Sequence, residues 1–161
     1  MKIIFLDIDG VLNTYYTKEL TSTGSIFVEE KNIKILKQLI DQTDAKVVLS
    51  STWRMGWKHL DVGMKKTEFA KDFIELRNKL GEFGIELYGK TPIFDRFMRR
   101  RGDEIKAYLD DHEEVDGYVV IDDIDGKWIR PCSSHLLQTS ERKGLEEKHI
   151  KTAKRILQME V

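Results

Sequence analysis

A chain of 161 residues with 40% hydrophobic and 34% charged residues has material for one core but not for two domains, so residues 1–161 are expected to form a single domain. A net charge of −1 excludes the global basic field that drives nonspecific nucleic-acid binding, and any contact with RNA or DNA must then be local. One cysteine, Cys132, excludes an intrachain disulfide framework and suits a reducing compartment; with no long apolar stretch and no signal-like opening, a cytoplasmic protein without membrane association is expected.

The chain opens with the apolar, β-branched run Ile3, Ile4, Phe5 and Leu6, which reads as a strand buried on both faces. Charges cannot sit inside such a strand, so Asp7 and Asp9 must emerge at its carboxyl end, where an open α/β sheet binds ligands. Alternation aims both carboxylates to one side and turns Ile8 into the core. Two crowded carboxylates repel unless a cation or a shared proton lies between them. Gly10 lets the backbone turn sharply and approach a ligand closely.

Residues 13–28 are irregular and are expected to form a flap hairpin, followed by a helix marked by Ile33, Leu36, Leu39 and Ile40. A second buried strand over 45–49 ends in Ser50, Ser51 and Thr52. Phe69, Phe73, Leu76 and Leu80 predict a helix over 65–80, stopped by Gly81 and Gly84, and a short third strand covers 85–88. Asp103 is placed to cap a helix whose inner face is Ile105, Tyr108 and Leu109. A fourth buried strand over 118–121 ends in Asp122 and Asp123; a fifth over 135–138 and a helix over 145–157 close the chain. This alternation predicts an α/β fold, a three-layer Rossmann-like parallel sheet with helices on both faces. The intervals 13–45 and 52–84 each hold about one helix by this reading, so no large cap domain is expected.

The strand ends carry the chemistry. Asp122 and Asp123 reach the same sheet edge as Asp7 and Asp9, and hard carboxylate oxygens from two strands suit Mg²⁺. His59, His112, His135 and His149 have no zinc-type spacing and are assigned no metal. Trp53 and Trp57 alternate with Arg54 and Lys58, a pattern that stacks bases and holds phosphates or, equally, places aromatics in a core. Most of Arg96, Arg99, Arg100 and Arg101 read as a solvated basic face.

The apolar strand followed by Asp-Ile-Asp-Gly-Val-Leu over residues 7–12 resembles the first motif of the haloacid dehalogenase superfamily of phosphohydrolases. That resemblance implies that Asp7 attacks phosphorus, that Asp9 is the general acid/base, and that Mg²⁺ is held by Asp7, the Asp9 carbonyl and Asp123. Ser50 matches the hydroxyl of the second motif, with Ser51 as a one-residue alternative. Asp122-Asp123 matches the fourth, and that match implies Asp123 as the preferred direct metal ligand, with Asp122 bound directly or through water. The third motif is a cation, and both Lys90, in Gly-Lys-Thr-Pro, and Arg101, ahead of Gly-Asp-Glu-Ile, are candidates, with Lys90 preferred. Gly10, Ser51, Trp53 and Arg54 are then expected beside the substrate.

The fuller pattern, with Ser-Ser-Thr-Trp-Arg over 50–54, is similar to haloacid dehalogenase domains of RNA-repair proteins. It implies a Mg²⁺-dependent phosphomonoesterase acting on a phosphorylated substrate such as RNA or DNA ends or a nucleotide. A small-metabolite phosphatase and a catalytically silent metal- or nucleic-acid-binding domain are the alternatives. A response-regulator receiver fits poorly, because no middle strand ends in a lone phosphoacceptor Asp.

Overall fold

A computed structural model of the chain describes residues 1–94 and 100–161. Five parallel strands, β1 (Lys2–Leu6), β2 (Lys46–Leu49), β3 (Leu87–Lys90), β4 (Gly117–Asp122) and β5 (Leu136–Gln138), are ordered β3-β2-β1-β4-β5. The helices are α1 (Glu30–Thr43), α2 (Arg54–Asp61), α3 (Glu68–Glu82), α4 (Arg101–Asp110) and α5 (Lys148–Ile156).

Alternation along the strands builds two apolar layers. Ile4, Leu6, Val47, Leu49, Val119 and Ile121 face one side, against Leu36 and Leu39 of α1, Phe73 and Leu76 of α3, and Ala153 and Ile156 of α5. Ile3, Phe5, Val48 and Val120 face the other, against Ile105 and Tyr108 of α4 and Ile129. Phe5 meets Tyr108 and Tyr118 edge-on at 5.5 and 5.8 Å, a favoured aromatic geometry. Because β1 lies mid-sheet and the chain winds away from it on both sides, a crevice opens at the carboxyl ends of β1 and β4.

Three local expectations are corrected. The interval 52–84 holds two helices, not one. The buried positions of α2 are Arg54 and Gly56, neither of them apolar, so hydrophobic periodicity could not reveal it. A Cβ on Gly56 would overlap the backbone of Phe69, and its absence lets α2 lie close against α3.

In α3 the inner face is Ala70, Phe73, Leu76 and Leu80, so Phe73, Leu76 and Leu80 face the core as predicted, whereas Phe69, in the first turn after the Thr67 cap, is 57% exposed and Ala70 takes the buried place. Asp103 does not cap α4, which begins at Arg101. It pairs within the first turn with Arg100 at 3.1 Å.

Residues 13–28 form a rudimentary hairpin, with Leu20 bridged to Ile26. Hydroxyls tie it to α3: Thr23 and Ser25 donate to the two oxygens of Asp72, each at 2.6 Å, and Ser22 donates to Glu75. No large cap stands over the sheet edge among the described residues, and no helix there is long and apolar enough to cross a membrane.

Candidate active site

The ladder hydrogen bonding runs past the strand ends and sets the site. Thr91 N donates to Leu49 O, Ser50 N to Leu6 O, Asp7 N to Ile121 O and Thr139 N to Asp122 O, all at 3.0 Å. Thr91, Ser50, Asp7, Asp122 and Thr139 therefore stand in a row along the carboxyl edge, each held by its neighbour's backbone.

At the centre of that row, carboxylate oxygens of Asp7, Asp122 and Asp123 lie within 4.8 Å of one another. Arg101, only 1% exposed, reaches in from the first turn of α4; its Nη1 is 2.6 Å from Asp122 Oδ2 and 3.2 Å from Asp7 Oδ1. Burial pushes the Asp7 carboxyl well above the usual range and Asp122 repels its charge further; Arg101 opposes this, while Asp123 and Asp9 add to it. Asp123 is pushed up to about 6, by burial first and then by Asp122. Burial works against the charge of Arg101, but Asp7 and Asp122 outweigh it and hold the guanidinium protonated.

One cation among three carboxylates leaves an excess of negative charge on hard oxygens, the donor set that Mg²⁺ takes. The oxygens are not equivalent. Asp122 Oδ2 is engaged by Arg101 and Oδ1 accepts from Ile124 N at 3.1 Å, so Asp122 anchors the arginine. Asp123 lies directly against Gly10, where a Cβ would overlap its carboxylate. Gly10 also has φ +79°, so this position needs glycine twice over.

Several buried donors have no partner among the described residues: Ser50 Oγ, Thr91 Oγ1, and Nε and Nη2 of Arg101. Leaving such groups unpaired costs about 1–3 kcal/mol each, more when charged, unless a ligand rich in acceptors completes them. A phosphoryl group is such a ligand.

Asp9 stands apart from the acid cluster. It is exposed, and its carboxylate accepts from Asn13 Nδ2 at 2.9 Å and from Trp53 Nε1 at 3.2 Å. These two donors orient it toward a cleft of about 340 Å³ lined by Ser25, Ile26, Thr52, Trp53, Phe69 and Asp72.

The structure separates the two candidate cations. Lys90, preferred from the sequence, ends on the far side of β3: its Nζ pairs with Asp61 at 2.6 Å and lies 4.7 Å from the Trp57 ring centroid. Arg101 is the cation in contact with Asp7. Gly102 makes this possible, since a Cβ there would overlap the carbonyls of Ile129 and Arg130, and that close seat buries the start of α4.

Arg54 also departs from expectation. Instead of facing substrate it is 3% exposed, donating through Nη1 to the carbonyls of Ser50 (2.5 Å) and Ser51 (2.8 Å) and through Nη2 to Glu104. It clamps the turn that presents Ser50. Ser51 is fully buried, and its Oγ accepts from Trp53 N at 3.2 Å, so it braces the same turn. Trp57, half-buried, stacks on the core residue Phe73 at 5.2 Å. Arg96 and Arg99 lie outside the described residues.

Sequence reasoning missed Asn13, Glu104 and Thr139. Asn13 accepts from Gly10 N at 2.9 Å while holding Asp9, and a polar residue straight after Val11 and Leu12 was the available signal. Glu104, buried beneath Arg54, was hidden in what read as an ordinary acidic helix start. Thr139 donates to Gly10 O at 2.7 Å from the far end of the chain, and nothing local marks it.

Among solved structures, the crystal structure of D,D-heptose 1,7-bisphosphate phosphatase from B. bronchiseptica, complexed with magnesium and phosphate, superposes with a TM-score of 0.60. The alignment covers 98% of this chain and 99% of that one at 16% identity, a likeness of fold. No curated protein sequence matches the chain. The model of the family described as the HAD domain in Swiss Army Knife RNA repair proteins matches residues 3–150, nearly the whole length, and the chain belongs to that family of haloacid dehalogenase domains.

Proposed function

We propose that the chain is a Mg²⁺-dependent phosphomonoester hydrolase working through an aspartyl-phosphate on Asp7. The observation that carries this reading is the Asp7 carboxylate against Arg101, whose Nε and Nη2 have no partner among the described residues, with the Ser50 hydroxyl, likewise unpartnered among them, next along the sheet edge. These donors would hold the equatorial phosphoryl oxygens and neutralise charge that develops at phosphorus. A Mg²⁺ ion would be held by Asp7, the Asp9 carbonyl and Asp123, and would offset the repulsion between carboxylate and phosphate.

An Asp7 oxygen attacks phosphorus as the bond to the leaving oxygen breaks, and Asp9 gives that oxygen its proton. Asp9, now a carboxylate, takes a proton from water; the water oxygen attacks phosphorus and the bond to Asp7 breaks, releasing phosphate. Asn13 and Trp53 keep Asp9 aimed away from Asp7 and toward the leaving group. Acid/base assistance of this kind contributes about 10²–10⁴ in rate. Asp7→Asn should lower turnover of an aryl phosphate by at least about 10³-fold without lowering thermal stability, since it relieves carboxylate repulsion. Wild-type turnover by that variant would refute the mechanism.

For substrate we propose phosphorylated nucleic-acid ends or nucleotides. Membership of a family found in RNA repair proteins supports this, as does a sheet edge that no large cap among the described residues closes to bulky substrates. A panel of end-phosphorylated RNA and DNA, nucleotides, sugar phosphates and phosphopeptides tests it. Preference for oligonucleotide should fall as salt rises. Equal kcat/KM for oligonucleotides and sugar phosphates at all salt concentrations would favour a small-metabolite phosphatase.

A further inference from the structure

The cleft beside Asp9 has a composition that the phosphoryl chemistry does not explain. Ile26 and Phe69 are 48% and 57% exposed, and with Trp53 they give it an apolar, aromatic lining. Its charged lining residues among the described ones are Asp9 and Asp72, both acids. A second phosphate would be repelled there, whereas a neutral planar ring would gain stacking and apolar burial. The volume, about 340 Å³, stands at the low end of the range of about 300–1,000 Å³ for small-ligand sites, room for one ring system and not for a run of nucleotides.

The slot is also preformed. The hairpin that supplies Ser25 and Ile26 is tied to α3 by the bonds from Thr23 and Ser25 to Asp72, and Trp53 is pinned by its bond to Asp9 and by Phe27, 6.5 Å away.

We propose that this slot between the 13–28 hairpin and α3 is a leaving-group site for one uncharged nucleobase, that of the nucleoside carrying the scissile phosphate. The proposal rests on the reading of Asp9 as proton donor to the leaving oxygen, because that role puts the leaving group in the cleft Asp9 lines. The slot selects a nucleoside phosphate over a bare sugar phosphate through stacking on Phe69 and Trp53, while the neighbouring nucleotides of a longer strand lie outside it.

The test compares kcat/KM for adenosine 3′- and 5′-monophosphate with that for ribose 5-phosphate, using the full chain with Mg²⁺. At least one nucleotide should be favoured by about tenfold or more, the scale of one base stack. Phe69→Ala and Ile26→Ala remove exposed side chains and should each reduce that ratio severalfold. Equal kcat/KM for nucleotides and ribose phosphate, or a ratio unmoved by both variants, would overturn the slot and leave the phosphatase reading standing. If no phosphoester is turned over, the hydrolase reading fails instead, and the slot is judged by calorimetric titration with adenosine: binding weakened by Phe69→Ala upholds it, and no binding overturns it.

Discussion

The acid centre between β1 and β4 and the cleft between the 13–28 hairpin and α3 lie on either side of Asp9, yet they are built by opposite means. In the acid centre Asp7 and Asp122 are buried and held by the sheet backbone and by Arg101, and Asp123 packs against Gly10. In the cleft, apolar side chains face solvent, and a few bonds from hydroxyls to Asp72 and Glu75 set its width. On the proposed reading, the chemistry is mounted on the sheet, and selection of a substrate is left to surface elements that can vary without disturbing it.

If that division is right, its largest consequence is at Arg101. Arg101→Ala should cost about 3–5 kcal/mol of stability, since it strands two buried carboxylates, and urea unfolding measures it. It should also remove most activity. A stable, active Arg101→Ala protein would mean that the acid centre is not held as described.

Asp72→Ala should act on the other region alone. It unpairs the hydroxyls of Thr23 and Ser25 and should cost about 1–3 kcal/mol, felt as protease sensitivity of the hairpin and a raised KM, with kcat nearly kept. An equal fall in kcat for every substrate would erase the distinction between the regions.

A smaller effect separates them by pH. Asp123 has a folded-state pKa of about 6, above its unfolded value of 3.8, so its contribution to stability is full below 3.8 and is lost as pH rises through about 6. Asp7, raised by burial and by Asp122, adds in the same direction. If Mg²⁺ is held as proposed, it binds the ionised carboxylates, and its stabilisation in thermal melts should be larger at about pH 7.5 than at about pH 5. Asp123→Asn should flatten that difference, whereas Asp72→Ala should not.

The smallest effect is expected at Lys90. Its pair with Asp61 is partly exposed, so Lys90→Ala should change stability by no more than about 1 kcal/mol and leave aryl-phosphate turnover unchanged. Loss of activity on the scale of Arg101→Ala would reinstate Lys90 as the phosphate-holding cation.

The parallel sheet and the carboxyl edge were legible in the sequence because an apolar strand and the charge that ends it are adjacent in the chain. That local contrast placed Asp7, Asp9, Ser50, Asp122 and Asp123 at strand ends, and Gly10 at the turn beside them. Only the tertiary structure decided what distant segments do to one another. Arg54 was expected beside the substrate and Arg101 was one of two candidate cations, but Glu104 draws the first beneath the Ser50 turn, while close packing at Gly102 delivers the second to Asp7 and Asp122. Lys90 was diverted by Asp61 and Trp57. Phe69 lies exposed in the first turn of α3, where Ala70 takes the buried place. A strand end is specified by neighbours in sequence, whereas the destination of a long charged or aromatic side chain depends on which partner the fold brings within its reach.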